Sequence, residues 1–188
     1  MPSWIKPKPY CRQDFLEQRK KLENVATVCV EANCPNRYEC FSRGVASFML
    51  LGRNCTRSCR YCNVTHGTPL SLKECEQEVD RIVDVVCAST LSHVVLTCVT
   101  RDDLADGGAS LFVRAVQSIR TRRQDMKVEV LVSDFGGDTA AAGKVIAAGV
   151  HVFNHNIETV PRLYPALRPG AQYTRSLGIL RAAAGRDV

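Results

Sequence analysis

The sequence lacks any long apolar run. No stretch of its 188 residues approaches the roughly 20 apolar residues that a membrane-spanning helix requires. Residues 1–24, MPSWIKPKPYCRQDFLEQRKKLEN, also contain no apolar segment that could form the core of a secretory signal. We therefore expect a cytoplasmic protein that does not enter a membrane.

The sequence also lacks long blocks of one charge, although its formal net charge is +6. Its basic residues gather in two short groups, at 18–21 and 120–123, which fall on separate predicted helices. This distribution argues against a nucleic-acid-binding tail, and we expect no nucleic-acid partner. An anionic cofactor, an acidic protein partner and a solvated surface each remain as explanations of the positive charge.

Phosphate-binding glycine motifs are missing as well. The glycine pairs at 107–108 and 136–137 fit neither the dinucleotide-binding spacing nor the P-loop spacing. We predict that both pairs form turns.

Cysteine, in contrast, is abundant, with ten residues in the chain. This number is below the density of a small disulfide scaffold, and in a reducing compartment clustered cysteines more often bind metal than pair with each other. Six of the ten form two groups of three. They are Cys29, Cys34 and Cys40 in the first triplet and Cys55, Cys59 and Cys62 in the second triplet.

Neither triplet has a fourth ligand at the usual spacing, and His66 is the nearest candidate. Zinc prefers tetrahedral groups of four ligands, and six thiols do not divide in that way. A [4Fe–4S] cluster held by three cysteines leaves one iron without a protein thiolate. Three thiols are therefore reasonable if the fourth iron must bind something other than the chain.

The rest of the chain alternates predicted strands with predicted helices, which indicates an α/β protein with a parallel sheet and helices packed outside it. The predicted strands are 47–52, 93–99, 127–134 and 150–158. The predicted helices are 72–86 (after a capping box at Ser71 and Glu74), 109–120, 138–149 and 174–185. Four such units form a partial (β/α) barrel, and another strand is expected after the last helix.

The N-terminal part has a different pattern. It contains one amphipathic helix, predicted over residues 14–24, followed by the loop that carries the first triplet. We interpret residues 1–43 as an extension and residues 44–188 as the barrel-type domain.

The second triplet, C-x3-C-x2-C directly after the first predicted strand, resembles the signature of radical S-adenosylmethionine (SAM) enzymes. The first triplet, in CVEANCPNRYEC, resembles the lipoyl synthase family in particular. The resemblance continues through FMLLGRNCTRSCRYC, LTCVTRDDLADGGA, EVLVSDFGGD and VFNHNIETVPRLYPALRPGAQYTRSL, and so covers nearly the whole chain.

The resemblance implies two [4Fe–4S] clusters. The cluster on the second triplet would bind SAM through its open iron, with Tyr61 near the adenine and with Asn156 and Glu158 in contact with SAM. The auxiliary cluster on the first triplet would supply sulfur. The family pattern extends beyond this chain's last residues, to a serine in an Arg-Ser-Ser-Tyr motif that ligates the auxiliary cluster, and this sequence has no such motif.

The implied reaction inserts two sulfur atoms, at C6 and C8, into an octanoyl group carried on a lysine of a lipoyl carrier domain. An electron donor such as ferredoxin or flavodoxin would start it, and no side chain is needed as a catalytic acid or base. Three alternatives remain: another radical SAM enzyme with an auxiliary cluster, a truncated inactive cluster-binding fragment, and a non-enzymatic module that holds zinc in pooled thiols.

Other polar residues near the predicted strand ends are weaker candidates. Arg101, Asp102 and Asp103 follow the second strand and could approach the site. His155, beside Asn156, is either a site residue or a polar strand end facing water. Arg168 could meet a carboxylate or be a surface charge.

The four remaining cysteines carry no motif. Cys75 lies on the apolar stripe of a predicted helix and Cys98 lies in an apolar strand, so we predict that both are buried. Cys11 and Cys87 receive no role.

Overall fold

The structure is a computed structural model that describes residues 25–31 and 34–186, together with the isolated residues 13, 16, 20 and 22. Cys11 lies outside the described residues, and so does the predicted helix over residues 14–24 except at 16, 20 and 22. In the part of the chain that is described, no helix is both long and apolar enough to cross a membrane.

A four-stranded parallel sheet forms the centre of the protein. Its strands are β1 (Val45–Leu50), β2 (His93–Cys98), β3 (Lys127–Leu131) and β4 (Val152–Asn154), and they lie side by side in sequence order. One register row crosses all four strands with buried apolar side chains: Phe48, Leu96, Val130 and Phe153. The predicted parallel α/β architecture is confirmed.

Seven α-helices are described. They are α1 (Val28–Glu31), α2 (Arg37–Ser42), α3 (Leu72–Ala88), α4 (Ala109–Arg122), α5 (Thr139–Ala147), α6 (Tyr164–Leu167) and α7 (Tyr173–Ala183). Two short 3₁₀ turns, Phe135–Gly137 and Pro161–Leu163, lie between them. The sequence pattern predicted α3, α4, α5 and α7 and missed α1, α2 and α6, which are too short to show a period.

Helix α3 begins where its capping box predicted. The Ser71 hydroxyl accepts a hydrogen bond from the Glu74 N–H, and the Glu74 carboxylate accepts one from the Ser71 N–H at 2.8 Å. The helix buries one stripe of side chains in the core: Cys75, Val79, Ile82, Val83 and Val86. The spacing of these residues explains why this face packs against the sheet.

Both predicted glycine turns are present. Gly107, Gly108, Gly136 and Gly137 all have positive φ. At Gly108, which precedes α4, a β-carbon would lie 2.4 Å from a methyl carbon of Leu51. Only glycine lets the start of α4 pack this closely against the end of β1.

The fourth strand is shorter than the predicted 150–158. Beyond Asn154 the backbone carbonyls bond to side chains instead of a strand, since Tyr164 donates to the Ile157 oxygen at 2.6 Å and Arg168 donates to the Asn156 oxygen at 3.1 Å. Glu158 then turns the chain with a φ of 66°. The residues that the periodicity assigned to a strand therefore form a loop at the strand end.

The first strand also ends earlier than the predicted 47–52. Leu51 and Gly52 have φ angles of 70° and 83°, which break the extended backbone. The chain turns there and enters the loop that carries the second triplet.

Candidate cofactor site

A cavity of about 160 Å³ lies at the carboxyl ends of the parallel strands, and we call it the strand-end cavity. All three cysteines of the second triplet line it, together with Thr97 and Cys98 from β2 and the residues that follow β3 and β4. Parallel α/β folds build their sites at this edge of the sheet. The structure thus brings the predicted cysteine motif together with His155, Asn156 and Glu158 in one cavity.

The loop of the second triplet is held by its backbone on two sides. The Thr56 N–H donates to the Thr100 oxygen at 3.1 Å, which ties the loop to the end of β2. The Arg60 N–H donates to the Leu167 oxygen at 2.9 Å, which ties it to α6. Cys55 also pairs with His66 through a backbone bridge, and the exposed His66 side chain is outside the cavity lining.

Arg57 fixes the same loop from inside, and sequence reasoning gave it no role. It is 6% exposed, and its guanidinium donates two hydrogen bonds to Asp102, both of 2.7 Å, and two to Asp134, of 2.7 and 2.9 Å. Burial acts to raise the pKa of Asp134, but the hydrogen bonds and the positive charge of Arg57 lower it below its ordinary value. The only sequence signal was an arginine between two motif cysteines, with aspartates after the next two strands.

The thiols of the second triplet are suited to a cluster. All three are free, Cys55 and Cys59 are half-buried, Cys62 is exposed, and the Arg57 N–H donates to the Cys55 sulfur at 3.4 Å. Among the described residues no three His, Cys, Asp or Glu side chains converge on a point that could hold a single metal ion. A [4Fe–4S] cluster does not need such convergence, because each thiolate binds a different iron, so the donor set fits this cofactor.

Arg168 brings a positive charge to the cavity. Its Nη1 donates to the Tyr164 hydroxyl at 3.0 Å and to the Asn156 and Ile157 oxygens, and the guanidinium lies over the Tyr164 ring. Its Nε is buried and has no partner among the described residues. An unpaired donor of this kind is costly unless a ligand accepts its hydrogen bond. Of the two predictions for Arg168, the structure favours the site residue over the surface charge.

The three predicted SAM-contacting residues all line the strand-end cavity. Tyr61 is 49% exposed, and partial burial is the main cause that raises its pKa above the usual range. Asn156 donates to the Glu158 carboxylate at 2.9 Å. The left-handed backbone of Glu158 is unusual for a residue with a side chain, and such strain is concentrated at functional sites.

His155 is buried and does not face water. Its Nδ1 bonds with the Val132 oxygen and its Nε2 with the Ser176 hydroxyl, both at 2.9 Å. Burial lowers its pKa, so the ring is held neutral. Although His155 lines the cavity, these contacts give it the structural role of joining α7 to the ends of β3 and β4.

Arg101 and Asp103 lie away from the strand-end cavity. Arg101 is 1% exposed and donates to Asp103, to the Leu70 oxygen and to the Cys75 sulfur, the last at 2.9 Å. Neither residue is among those that line the strand-end cavity, and Arg101 holds the segment before α3. Asp102 lies nearer the site, but it acts through Arg57.

Of the two cysteines predicted to be buried, Cys75 is buried and Cys98 is only half-buried. Cys75 has no exposed surface, as predicted. Cys98 lines the strand-end cavity, where desolvation raises its pKa to about 12. It is a neutral thiol in the cavity wall.

The first triplet lies beside the outer edge of β1. Thr27 forms an antiparallel bridge with Phe48, and the Met49 N–H donates to the Ala26 oxygen at 3.0 Å. The Cys34 N–H donates to the Cys29 oxygen at 3.1 Å. The pKa of the Cys40 thiol is raised, first by burial and then by the nearby Cys29 and Cys34 thiols, as expected for three thiols held close together.

A second cavity, of about 230 Å³, borders the second triplet and the residue that precedes Cys29. Val28, next to the first triplet, and Cys62, of the second triplet, both line it. Met49 and Val64 give it apolar walls. Cys62 therefore borders both this second cavity and the strand-end cavity.

Comparison with known families identifies the class of protein. The sequence model of the radical SAM superfamily matches residues 49–188, which contain the second triplet and every strand-end residue of the cavity. The chain belongs to the radical SAM superfamily. Members of this superfamily use a [4Fe–4S] cluster and SAM.

Within the superfamily, the sequence relatives are proteins named lipoyl synthase. The protein of Desulfotalea psychrophila is 47% identical over 96% of this chain and 60% of its own length. That of Caldicellulosiruptor saccharolyticus is 44% identical over 99% of this chain and 65% of its own length, and that of Buchnera aphidicola is 44% identical over 96% and 57%. This chain thus spans about three fifths of the length of these relatives.

Solved structures share the fold at lower sequence identity. The FeFe-hydrogenase maturase HydG from Carboxydothermus hydrogenoformans matches 92% of this chain and 38% of its own, with a TM-score of 0.54 and 18% identity. Methylornithine synthase matches 90% of this chain and 51% of its own, with a TM-score of 0.51 and 18% identity. These similarities establish the strand and helix arrangement and nothing about the substrate.

Proposed function

We propose that this chain carries out the chemistry of a lipoyl synthase, the insertion of sulfur at C6 and C8 of an octanoyl group on a lipoyl carrier domain. The observation that carries the proposal is the strand-end cavity, in which the second triplet faces Asn156, Glu158 and Arg168. The similarity to lipoyl synthases over 96% to 99% of the chain supports this reaction over that of another radical SAM enzyme.

Cys55, Cys59 and Cys62 hold the SAM-binding cluster in this proposal. When bound, this cluster supplies the electron that splits SAM into methionine and a 5′-deoxyadenosyl radical, which takes a hydrogen atom from the octanoyl chain. The protein has to keep water and stray side chains away from such a radical. Val64, Val99 and Val132 supply apolar walls for this purpose in the strand-end cavity.

Four side chains are suited to orient SAM. The buried, unpaired Nε of Arg168 is a donor for the SAM carboxylate, because a charged hydrogen bond satisfies both partners. Asn156 and Glu158 offer an amide and a carboxylate to the ribose hydroxyls and the ammonium group. Tyr61, half exposed at the cavity mouth, provides an aromatic ring for the adenine.

Cys29, Cys34 and Cys40 hold the auxiliary cluster, which supplies the inserted sulfur when bound. Val28, beside Cys29, and Cys62 both line the second cavity, whose apolar part at Val28, Met49 and Val64 suits an acyl chain and whose polar part is formed by Arg53, Asn63 and Thr65. A substrate in this cavity would lie between the radical source and the sulfur source.

The remaining assignments complete the proposal. Residues 1–43 form an extension that carries the auxiliary cysteines, and residues 44–188 form the radical SAM domain. The partners are an octanoylated carrier domain and an electron donor such as ferredoxin or flavodoxin. The nine described cysteines are all free thiols, which supports a reducing compartment such as the cytoplasm.

Mass analysis of an octanoylated carrier domain tests the proposal. The chain is reconstituted with iron and sulfide without oxygen and incubated with the carrier, SAM and a reductant. Product peaks with one and then two added sulfur atoms, together with 5′-deoxyadenosine, would support the proposal. 5′-Deoxyadenosine without any sulfur added to the carrier would contradict the assigned substrate while leaving the superfamily assignment intact.

A further inference from the structure

We propose that Arg57, gripped by Asp102 and Asp134, is the positioning residue that presets the loop of the second triplet for its cluster. We call these three residues the Arg57 clamp. The inference rests on the proposed function only in treating residues 55–62 as a cluster-binding loop.

The clamp joins the carboxyl ends of three consecutive strands. Arg57 lies on the loop after β1, Asp102 follows β2, and Asp134 follows β3. Each carboxylate receives two hydrogen bonds of 2.7 to 2.9 Å from one planar guanidinium. Paired contacts of this kind fix both distance and orientation, which a lysine could not do.

Burial makes the clamp cooperative. The Arg57 side chain is 4% exposed and the Asp134 side chain is fully buried, so neither charge can exchange its partner for water. Removing one member leaves the other as an unpaired buried charge, which is strongly unfavourable. The Asp102 side chain is more exposed, at 42%, so its ion pair with Arg57 is the weaker of the two.

The clamp acts directly on a motif cysteine. The Arg57 N–H donates to the Cys55 sulfur at 3.4 Å, so holding the Arg57 side chain also holds this hydrogen bond in place. Thr56, the residue between them, bonds to the Thr100 oxygen through both its N–H and its hydroxyl. Cys55 is therefore held in position by protein contacts alone.

Thiol alkylation of the cluster-free protein tests the clamp. Arg57→Lys, Asp102→Asn and the control Arg123→Lys are treated with iodoacetamide, and the modified cysteines are quantified by peptide mass analysis. Arg123 is a suitable control because it also holds one carboxylate with two hydrogen bonds, on Asp125, donates to backbone oxygens as well (of Cys87, Ser89 and Leu91), and lies outside the cavity.

We expect Cys55 to be alkylated about tenfold faster in Arg57→Lys and about threefold faster in Asp102→Asn, since charged hydrogen bonds that close the loop are lost. Cys75 should stay protected in all variants, and Arg123→Lys should match the parent. After reconstitution, loss of the N–H to sulfur bond should also shift the reduction potential of the cluster to a more negative value.

Two results would overturn the proposal. One is an unchanged Cys55 rate in folded Asp102→Asn and Arg57→Lys. The other is an alkylation rate of Cys75 that rises as much as that of Cys55, which would mean general destabilisation. If Arg57→Lys fails to fold, the result for Asp102→Asn decides the test. The alkylation needs neither SAM nor turnover. If the expected alkylation rates were found in a chain that never cleaves SAM, the proposed function would be refuted and the inference about Arg57 would be supported.

Discussion

Each triplet presents three thiols, but the two triplets are held in different ways. The second triplet lies on a loop that is bonded to β2, to α6 and, through Arg57, to the ends of two strands. In the first triplet, Cys29 lies on α1, Cys40 lies on α2 and Cys34 lies between them, and the hydrogen bonds of Cys34 and Cys40 are to their own segment. In the described part of this segment, the backbone bonds to the sheet are made by Ala26 and Thr27, which precede the triplet and lie at the edge of β1.

Under the proposed function, this difference matches the different tasks of the two clusters. A cluster that must orient SAM needs ligands fixed against the strand ends that bind the rest of the cofactor. The proposed sulfur-donating cluster does not have to orient SAM, so its cysteines can lie on a local segment at the edge of the sheet.

The largest effect is expected when the second triplet is removed. Replacing Cys55, Cys59 and Cys62 by Ala should abolish SAM cleavage and remove about half of the bound iron, since each triplet holds one cluster of the same size. Iron analysis and chromatography of 5′-deoxyadenosine measure the two quantities. If all iron were lost from a folded variant, the triplets would share one site.

Removing the first triplet should have a large but narrower effect. Replacing Cys29, Cys34 and Cys40 by Ala should stop sulfur insertion and still allow slow formation of 5′-deoxyadenosine, because the strand-end cavity is unchanged. The readouts are the carrier mass and the nucleoside yield. A folded variant that cleaves no SAM would show that the two settings do not work separately.

An intermediate effect is expected at Arg168. Arg168→Gln removes the cation that we propose as the partner of the SAM carboxylate, and the loss of a charged hydrogen bond should raise the dissociation constant for SAM about ten- to hundredfold. Equilibrium binding to the reconstituted protein gives this constant. Arg123→Lys is the control, and equal binding by Arg168→Gln and the parent would remove Arg168 from the site.

The smallest effect concerns stability at the attachment of α7. Burial lowers the pKa of His155 below its ordinary value of about 6.5, so below that pH the unfolded chain takes up more protons than the folded one. Stability contributed by neutral His155 is therefore present above about pH 6.5 and is lost as the pH falls toward the lowered pKa.

Thermal unfolding of the cluster-free protein between about pH 7 and pH 5 measures this loss. The parent should lose more stability over this interval than His155→Gln, whose side chain cannot take up the proton. His151→Gln is the comparison, since His151 also has a lowered pKa but is exposed, and its effect should be smaller. Equal pH dependence in His155→Gln and the parent would contradict the account.

Much of this architecture could be predicted from the sequence because its signals are local. The capping box at Ser71, the apolar stripe of α3 and the C-x3-C-x2-C motif each lie within one segment. The Arg57 clamp could not be predicted in this way, since Arg57 meets Asp134 across 77 positions of the chain. The same is true of Arg101, whose buried contact with Cys75 joins residues 26 positions apart.

The most direct test of the account is electron paramagnetic resonance of the chain that keeps only its second triplet, with Cys29, Cys34 and Cys40 replaced by Ala. The reconstituted and reduced variant should give the signal of a single [4Fe–4S] cluster, and adding SAM should change the shape of that signal, because the open iron gains a ligand. Parallel samples with Cys59→Ala added should give no signal. A cluster signal that is unchanged by SAM would contradict the assignment of the strand-end cavity.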